Sequence, residues 1–148
     1  MSARKWWIIG AAVVAVVVAV AVLGVVKLTR HAPSDCDTVH EMVTYNTQFN
    51  ASIKQSASAG DPIGSSVADY QKWAARLHEY AGQIHDSKLT EPANAVAGLA
   101  DQMVAVVPRV RADSADTTVN PPQSVIDYSR IGHEFHDNFT KLEQACPA

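Results

Sequence analysis

Positive charge is scarce over most of this chain. The 148 residues include 12 Lys and Arg against 15 Asp and Glu. Four of the basic residues and none of the acidic ones lie in residues 1–30, which leaves 8 basic against 15 acidic residues, a net charge of −7, in residues 31–148. Binding to nucleic acid depends on neutralising phosphates with Lys and Arg. We therefore expect no nucleic acid among the partners.

Motifs for catalysis and cofactor binding are also missing from the sequence. There is no HExxH spacing, no Glu-x-x-His pair, no EF-hand loop, no GxSxG nucleophile elbow and no Gly-rich phosphate loop. These patterns mark zinc proteases, di-iron bundles, calcium sites, serine hydrolases and nucleotide-binding folds. The sequence therefore predicts a protein that is not an enzyme and holds no cofactor.

Cysteine is limited to two residues, Cys36 and Cys146. They lie near the two ends of the polar part of the chain, with no cysteine between them. Such a pair predicts one disulfide formed in an oxidising compartment, the alternative being two unrelated buried thiols. Closing a loop of this length stabilises a fold by roughly 4–5 kcal/mol in the chain-entropy model.

One long apolar run is present, at residues 6–26. Its 21 residues include no charge and no proline, and as a helix they would reach across the roughly 30 Å hydrocarbon core of a bilayer. The alternative is a secretory signal cleaved at Ala19-Val20-Ala21, but that site falls inside the apolar run. We favour an uncleaved signal anchor.

The charges that flank this run do not orient it. Arg4 and Lys5 precede it, and Lys27 and Arg30 follow it, so the positive-inside count is nearly equal on the two sides. The short N-terminal stub and the cysteine pair favour an N-terminus in the cytoplasm and the remainder outside the plasma membrane. The predicted division is a stub at 1–5, a transmembrane anchor at 6–26, a linker at 27–35 and an extracytoplasmic domain at 36–148.

A face of small residues runs along the predicted anchor. Ala11, Ala15 and Ala19 recur every four residues, and small-xxx-small faces let helices approach closely in lipid. A segment built mostly of Ala and Val also shows this spacing by chance. We take the face as the candidate contact with a membrane-protein partner, in addition to the lipid itself.

The polar part carries four stretches of helical periodicity. The first runs from Cys36 to near Ser56, capped by Ser34 or Asp35. The second begins with a capping box of Ser66 and Asp69 and continues to Ile84.

The third predicted helix starts with Thr90 as its cap and Pro92 in its first turn, and Pro108 should kink it or end its regular part near Val107. The fourth follows Asn120 and Pro121 and ends at Cys146.

Four amphipathic helices joined by short loops predict an all-α fold, an up-down-up-down four-helix bundle. In that topology the start of the first helix and the end of the fourth lie at the same end. Cys36 and Cys146 occupy those two places, so the disulfide and the bundle support each other.

Histidines supply a weak candidate metal site. His133 and His136 lie three residues apart on one helix and could share a zinc or copper ion if His78, His85 or Asp137 added a third ligand. A position on the solvated face is the more ordinary interpretation, so we predict no metal.

Acidic residues and aromatic rings give two further candidates. Asp61, Asp113 and Asp116 could gather at the loops far from the cysteines, where simple solvation is the ordinary interpretation. Six aromatic residues could line a pocket for an apolar ligand, although core packing is the more ordinary role. They are Tyr70, Trp73, Tyr80, Tyr128, Phe135 and Phe139.

The Ala/Val-rich anchor, the scarcity of lysine and the small helical domain with one terminal disulfide resemble the anchored envelope proteins of high-GC actinobacteria, mycobacteria in particular. The resemblance is one of general plan and assigns no residue a role. We expect a non-enzymatic accessory, assembly or scaffold subunit of a larger membrane complex. The alternative is an extracytoplasmic binding module that holds an apolar ligand or a metal ion within the bundle.

Overall fold

The computed structural model describes residues 33–57, 64–114 and 121–147. Ser34–Ala148 forms one compact unit. The described residues contain four α-helices and no strand, which confirms the predicted all-α class. The helices are α1 (Asp35–Ala57), α2 (Val67–Ala81), α3 (Ser87–Ser114) and α4 (Gln123–Ala145).

The predicted disulfide is confirmed, and it defines one end of the bundle. Cys36 in the first turn of α1 is bonded to Cys146 just after α4, with Cα atoms 5.3 Å apart. The carboxylate of Asp35 accepts the backbone N–H groups of His85 and Asp86, in the connection between α2 and α3. This end, called the disulfide end below, therefore gathers the start of α1, the α2–α3 connection and the end of α4.

The opposite end brings together the other helix termini. The guanidinium of Arg111, late in α3, donates to the carbonyl oxygen of Ser65, just before α2. Gly64 has a φ of 74° and lies so close to Ile53 in α1 that a Cβ would collide with the carbonyl oxygen of Ile53. Successive helices therefore run in opposite directions.

The four helices differ in how extensively they pack on one another. α3 packs most extensively on α4 and then on α2, whereas α1 makes far fewer contacts with α2 and α4. Ala93, Ala97 and Ala100 of α3 are completely buried, and such small side chains let neighbouring helices approach. Phe49 of α1 instead meets its neighbours through large rings, with centroids 5.2 Å from Tyr70 and 5.0 Å from Trp73. α1 therefore packs on its neighbours through large side chains, whereas α3 packs through small ones.

The capping box of α2 forms as predicted. Ser66 Oγ accepts the N–H of Asp69, and the Asp69 carboxylate accepts the N–H of Ser66. The helix ends at Ala81 and not at Ile84, because the chain turns at Gly82, whose N–H still bonds to the carbonyl of His78. Ile84 reaches the core from that turn, with 4% of its surface exposed.

The start predicted for α3 was wrong. The helix begins at Ser87, three residues before Thr90, because Asp86 is the better cap. Its carboxylate accepts the N–H of Lys88, and its carbonyl accepts those of Leu89 and Thr90. The earlier start buries Leu89, which is 4% exposed.

Pro108 does not end α3. The helix continues to Ser114 with both Pro92 and Pro108 inside it. Pro108 itself is exposed, while Val107 and Val110 on the opposite face are buried. Burial of this apolar face on both sides of Pro108 offsets the lost backbone hydrogen bond.

Two predictions concern residues that the structure does not describe. Asn120, the predicted cap of α4, lies outside the described residues, and α4 starts at Gln123 after Pro122, which provides no side-chain cap. The apolar run 6–26, with its face of Ala11, Ala15 and Ala19, also lies outside the described residues. In the part of the chain that is described, no helix has the length and apolar character to cross a membrane.

Candidate functional site

A groove of about 240 Å³ opens between α1 and α4, with residues of α2 and α3 in its floor. We call it the α1–α4 groove. Half of its lining is aromatic: Phe49, Tyr70, Trp73, Tyr128, Phe135 and Phe139. The other half consists of Asn46, Asn50, Ile53, Met103, Gly132 and His136.

The aromatic rings of the groove form one connected wall. Phe49 stacks on Trp73 with ring planes 13° apart and meets Tyr70 edge to face. The wall continues from Trp73 to Phe135, with centroids 5.4 Å apart, and on to Phe139 at 4.9 Å. These separations lie in the range of favourable aromatic pairs. Five of the six aromatic residues singled out by sequence therefore line one cavity. Four of them are buried in the core, and Tyr128 is partly buried against it.

Polar groups are few in the groove and have defined places. Trp73 Nε1 donates to Asn46 Oδ1 at 3.2 Å, which leaves the NH₂ group of Asn46 as that side chain's donor. The hydroxyls of Tyr70 and Tyr128 lie 3.2 Å apart. Asn50 and His136 are exposed at the rim. No Lys, Arg, Asp or Glu is among the described residues that line the groove.

Gly132 lies in the middle of α4 and lines the same groove. A Cβ at this position would meet only Met103 Cε, at 3.9 Å, an ordinary van der Waals contact. Close packing therefore does not require glycine. Glycine inside a helix costs about 1 kcal/mol relative to alanine, so this residue is retained at some expense of stability.

The outward surface of α4 carries an open depression of about 530 Å³, which we call the outer α4 face. Ile126 lies in it and is 46% exposed, and no other large hydrophobic side chain among the described residues is exposed. Arg130 and Glu134 beside it form an ion pair at 2.7 Å. The outer α4 face therefore presents one apolar side chain next to a charged rim.

The two histidines of the candidate metal site line different surfaces of α4. His133 lines the outer α4 face together with Asp137, whereas His136 lines the α1–α4 groove. His78 is bonded to Asp101 at 2.8 Å, and His85 Nδ1 lies 4.0 Å from Asp35.

Nowhere in the described ranges does a group of three His, Cys, Asp or Glu residues come close enough to hold a metal ion. The structure therefore adds no ligand to the pair that the sequence singled out.

Two other predicted residues lie elsewhere. Tyr80 is not part of the groove: its ring is 6.0 Å from that of Tyr45, and the guanidinium of Arg76 lies over it at 4.5 Å. Burial raises the pKa of Tyr45, and the nearby Tyr80 adds to the shift. Asp113 lies in α3, but Asp61 and Asp116 lie outside the described residues.

No protein-family model matches this chain, and no characterised protein or solved structure is similar enough to match it. The functional reasoning below therefore rests on the residues and their geometry.

Sequence reasoning missed the residues that make the groove open. Gly132, Asn46 and Asn50 carried no motif, and Phe49 was not among the aromatic residues that the sequence singled out. One signal was available: a glycine inside a helical pattern with no turn nearby, which costs about 1 kcal/mol of stability relative to alanine. Gly132 between the apolar positions Ile131 and Phe135 is such a glycine.

Proposed function

We propose that this protein is a non-enzymatic accessory, assembly or scaffold subunit of a larger membrane complex. Residues 6–26 hold it in the plasma membrane, with the helical bundle outside. The outer α4 face is the observation that carries the proposal. The disulfide supports the extracytoplasmic placement, because such bonds persist in oxidising compartments.

The outer α4 face has the composition of a protein contact site. Ile126 is the apolar centre, and Val125 next to it is half-buried. Arg130 and Glu134 supply a polar rim. Protein interfaces combine an apolar centre with a charged or polar margin, and a few central residues carry most of the binding energy. The occupant we propose is a protein subunit in the same membrane, whose contact with Ile126 adds to that of the Ala11, Ala15 and Ala19 face.

Affinity purification of the tagged full-length chain tests this function. In mild detergent at native expression, the chain should bring down membrane proteins in stoichiometric amounts. Ile126→Asp should reduce their recovery at least fivefold, because it places a charge at the apolar centre. Ala105→Asp on the exposed side of α3 is the matched control and should leave recovery unchanged. Recovery of a lone monomer, or equal recovery with both variants, would contradict the proposal.

One observation favours a second candidate function, an extracytoplasmic binding module for an apolar ligand. The α1–α4 groove is lined mostly by aromatic and aliphatic side chains and includes a few polar groups, the usual make-up of small-molecule sites. This function can coexist with membership of a complex, because the groove and the outer α4 face share no lining residue.

A further inference from the structure

We infer that the second half of α1 is a flap that opens while the rest of the bundle stays folded, and that Asn46 and Phe49 latch it onto Trp73. The flap comprises residues 43–56. Its opening uncovers Trp73 and the wall of rings behind it, so the flap controls when this wall meets the solvent. The inference goes beyond both proposed functions and requires neither of them.

Burial divides α1 into two halves. Thr38, Val39 and Met42 in the first half are buried, whereas no residue from 43 to 56 is. In the other three helices, buried residues occur from near the first turn to near the last. Segments with few buried apolar contacts open at a lower free energy than the core does. The second half of α1 is therefore the part of the four helices that opens most readily.

The α1–α4 groove lies under the same half of α1. The first half is fastened at the disulfide end, where Cys36 is bonded to Cys146 and His40 Nε2 lies 2.8 Å from the carbonyl oxygen of Cys146. The second half lies over the cavity and supplies every lining residue that comes from α1: Asn46, Phe49, Asn50 and Ile53. The boundary between a fastened and a loosely packed segment thus falls just after Met42.

Two contacts of the flap reach the same residue of α2. Trp73 Nε1 donates to Asn46 Oδ1 at 3.2 Å. One turn later, Phe49 stacks on the ring of Trp73, with centroids 5.0 Å apart and ring planes 13° apart. At the far end of the flap, Gly64 lies against the backbone of Ile53. Opening breaks these contacts and leaves Trp73 without its stacked ring and its acceptor.

The flap makes two further ring contacts and no ion pair. Phe49 meets Tyr70 edge to face at 5.2 Å, and Tyr45 meets Tyr80 at 6.0 Å. Lys54 is the one charged residue of the flap; it is exposed and pairs with no acidic residue in the described ranges. Only at Trp73 does the flap therefore combine a stacked ring with a hydrogen bond to another helix.

The sequence of the flap is also a weak helix former. In residues 43–53, VTYNTQFNASI, only Gln48 and Ala51 rank among the strong helix formers. The Thr47 hydroxyl donates to the carbonyl of Val43 at 2.9 Å, next to the boundary after Met42, and such bonds slightly destabilise and often bend helices. Local propensity therefore does not keep the flap helical once its contacts with α2 are broken.

Hydrogen exchange on the full chain in lipid nanodiscs, resolved to single amides and corrected for intrinsic rates, tests the flap. Amides of residues 47–53 should exchange at least tenfold faster than those of residues 39–42 in the first half of α1 and of residues 96–103 in α3. Equal rates in the three sets would overturn the inference, because α1 would then open only together with the bundle.

A core variant separates local from global opening. Val96 is completely buried in α3 and does not line the groove. Val96→Ala destabilises the closed and the open state alike relative to the unfolded chain. Amides 96–103 should therefore exchange at least tenfold faster, and amides 47–53 should change less than twofold. Acceleration of both sets by the same factor would also overturn the flap.

The latch has its own test. Phe49→Ala should make amides 47–53 exchange at least tenfold faster, because the ring contacts exist only in the closed state. Gln48→Ala, at the exposed neighbouring position, is the matched control and should stay within threefold of the native rate. An effect of Phe49→Ala below threefold would show that Phe49 is not the latch. Should Phe49→Ala fail to fold, Phe49→Leu must accelerate the same amides at least threefold.

Discussion

Two serine–aspartate pairs start helices in the same way. Ser34 and Asp37 begin α1, and Ser66 and Asp69 begin α2, each with the serine hydroxyl accepting the aspartate N–H and the carboxylate accepting the serine N–H. The second pair was predicted from its spacing. For α1 the sequence left Ser34 and Asp35 as alternatives, because both residue types cap helices. In the structure Ser34 is the cap, because the carboxylate of Asp35 instead accepts the N–H of His85 in the α2–α3 connection.

These pairs predict a dependence of stability on acid pH. Hydrogen bonds from the side chain and then the backbone of Ser34 lower the pKa of Asp37, and those from Ser66 lower the pKa of Asp69. A carboxyl group whose pKa is lower in the folded state stabilises the fold above its unfolded pKa, about 3.9. That stabilisation is lost as the pH falls through the folded pKa.

We expect the Asp37→Asn/Asp69→Asn variant to melt below the native protein from pH 5 to 7. The difference in melting temperature should shrink below about pH 4, where the native carboxylates protonate. A Glu41→Gln/Glu143→Gln variant, altered at two exposed positions, is the charge-matched control and should show a smaller difference. A difference that stays constant down to pH 2 would contradict the role of the ionised carboxylates.

At the level of helices, α3 shows what periodicity can and cannot predict. Its apolar positions from Val96 to Val110 are buried as the spacing indicates, because periodicity reports which face is covered. Its start was missed because two caps compete, Asp86 and Thr90, and only the three-dimensional fold shows that the earlier start buries Leu89. The alternative that Pro108 ends the regular part of the helix near Val107 was wrong for a related reason: local propensity yields to the burial of a long apolar face.

Pro108→Ala should stabilise the protein by about 1–3 kcal/mol. The substitution restores an N–H toward the carbonyl four residues earlier and removes the steric conflict of the ring, and Pro108 is exposed, so little packing is lost. The free energy of unfolding in urea measures the effect. Arg109→Ala, at the exposed neighbouring position, should change it by less than about 0.5 kcal/mol. A lower stability for Pro108→Ala would mean that the proline itself makes a needed contact.

Across the whole bundle, the helices divide into a tight group and one looser member. α2, α3 and α4 enclose most of the core, while only Thr38, Val39 and Met42 of α1 are buried. The sequence predicted four helices and their disulfide, since these follow from spacing and cysteine position. It did not predict the groove, because the gap beneath α1 depends on how rings from α1, α2 and α4 meet. Phe49 and Ile53 share the helical periodicity of core residues, yet both stay half-exposed beside the groove.

α1 should therefore depend on the disulfide more than the other helices do. The bond joins residues 110 positions apart, and removing a native disulfide from a small domain typically costs about 2–5 kcal/mol. At the disulfide end, α1 is held by this bond, by His40 Nε2 donating to the carbonyl of Cys146 at 2.8 Å, and by Asp35. Loss of the bond leaves the extensive α3–α4 contact intact, so the free energy needed to open α1 locally falls further than that for α3 and α4.

Hydrogen exchange followed by mass spectrometry on the full chain measures this difference. In the Cys36→Ser/Cys146→Ser variant, amides of α1 should exchange at least tenfold faster than in the native protein, with a smaller increase in α3 and α4. Reduction of the native chain should give the same pattern. An equal increase in all four helices would show that the bundle opens only as a unit.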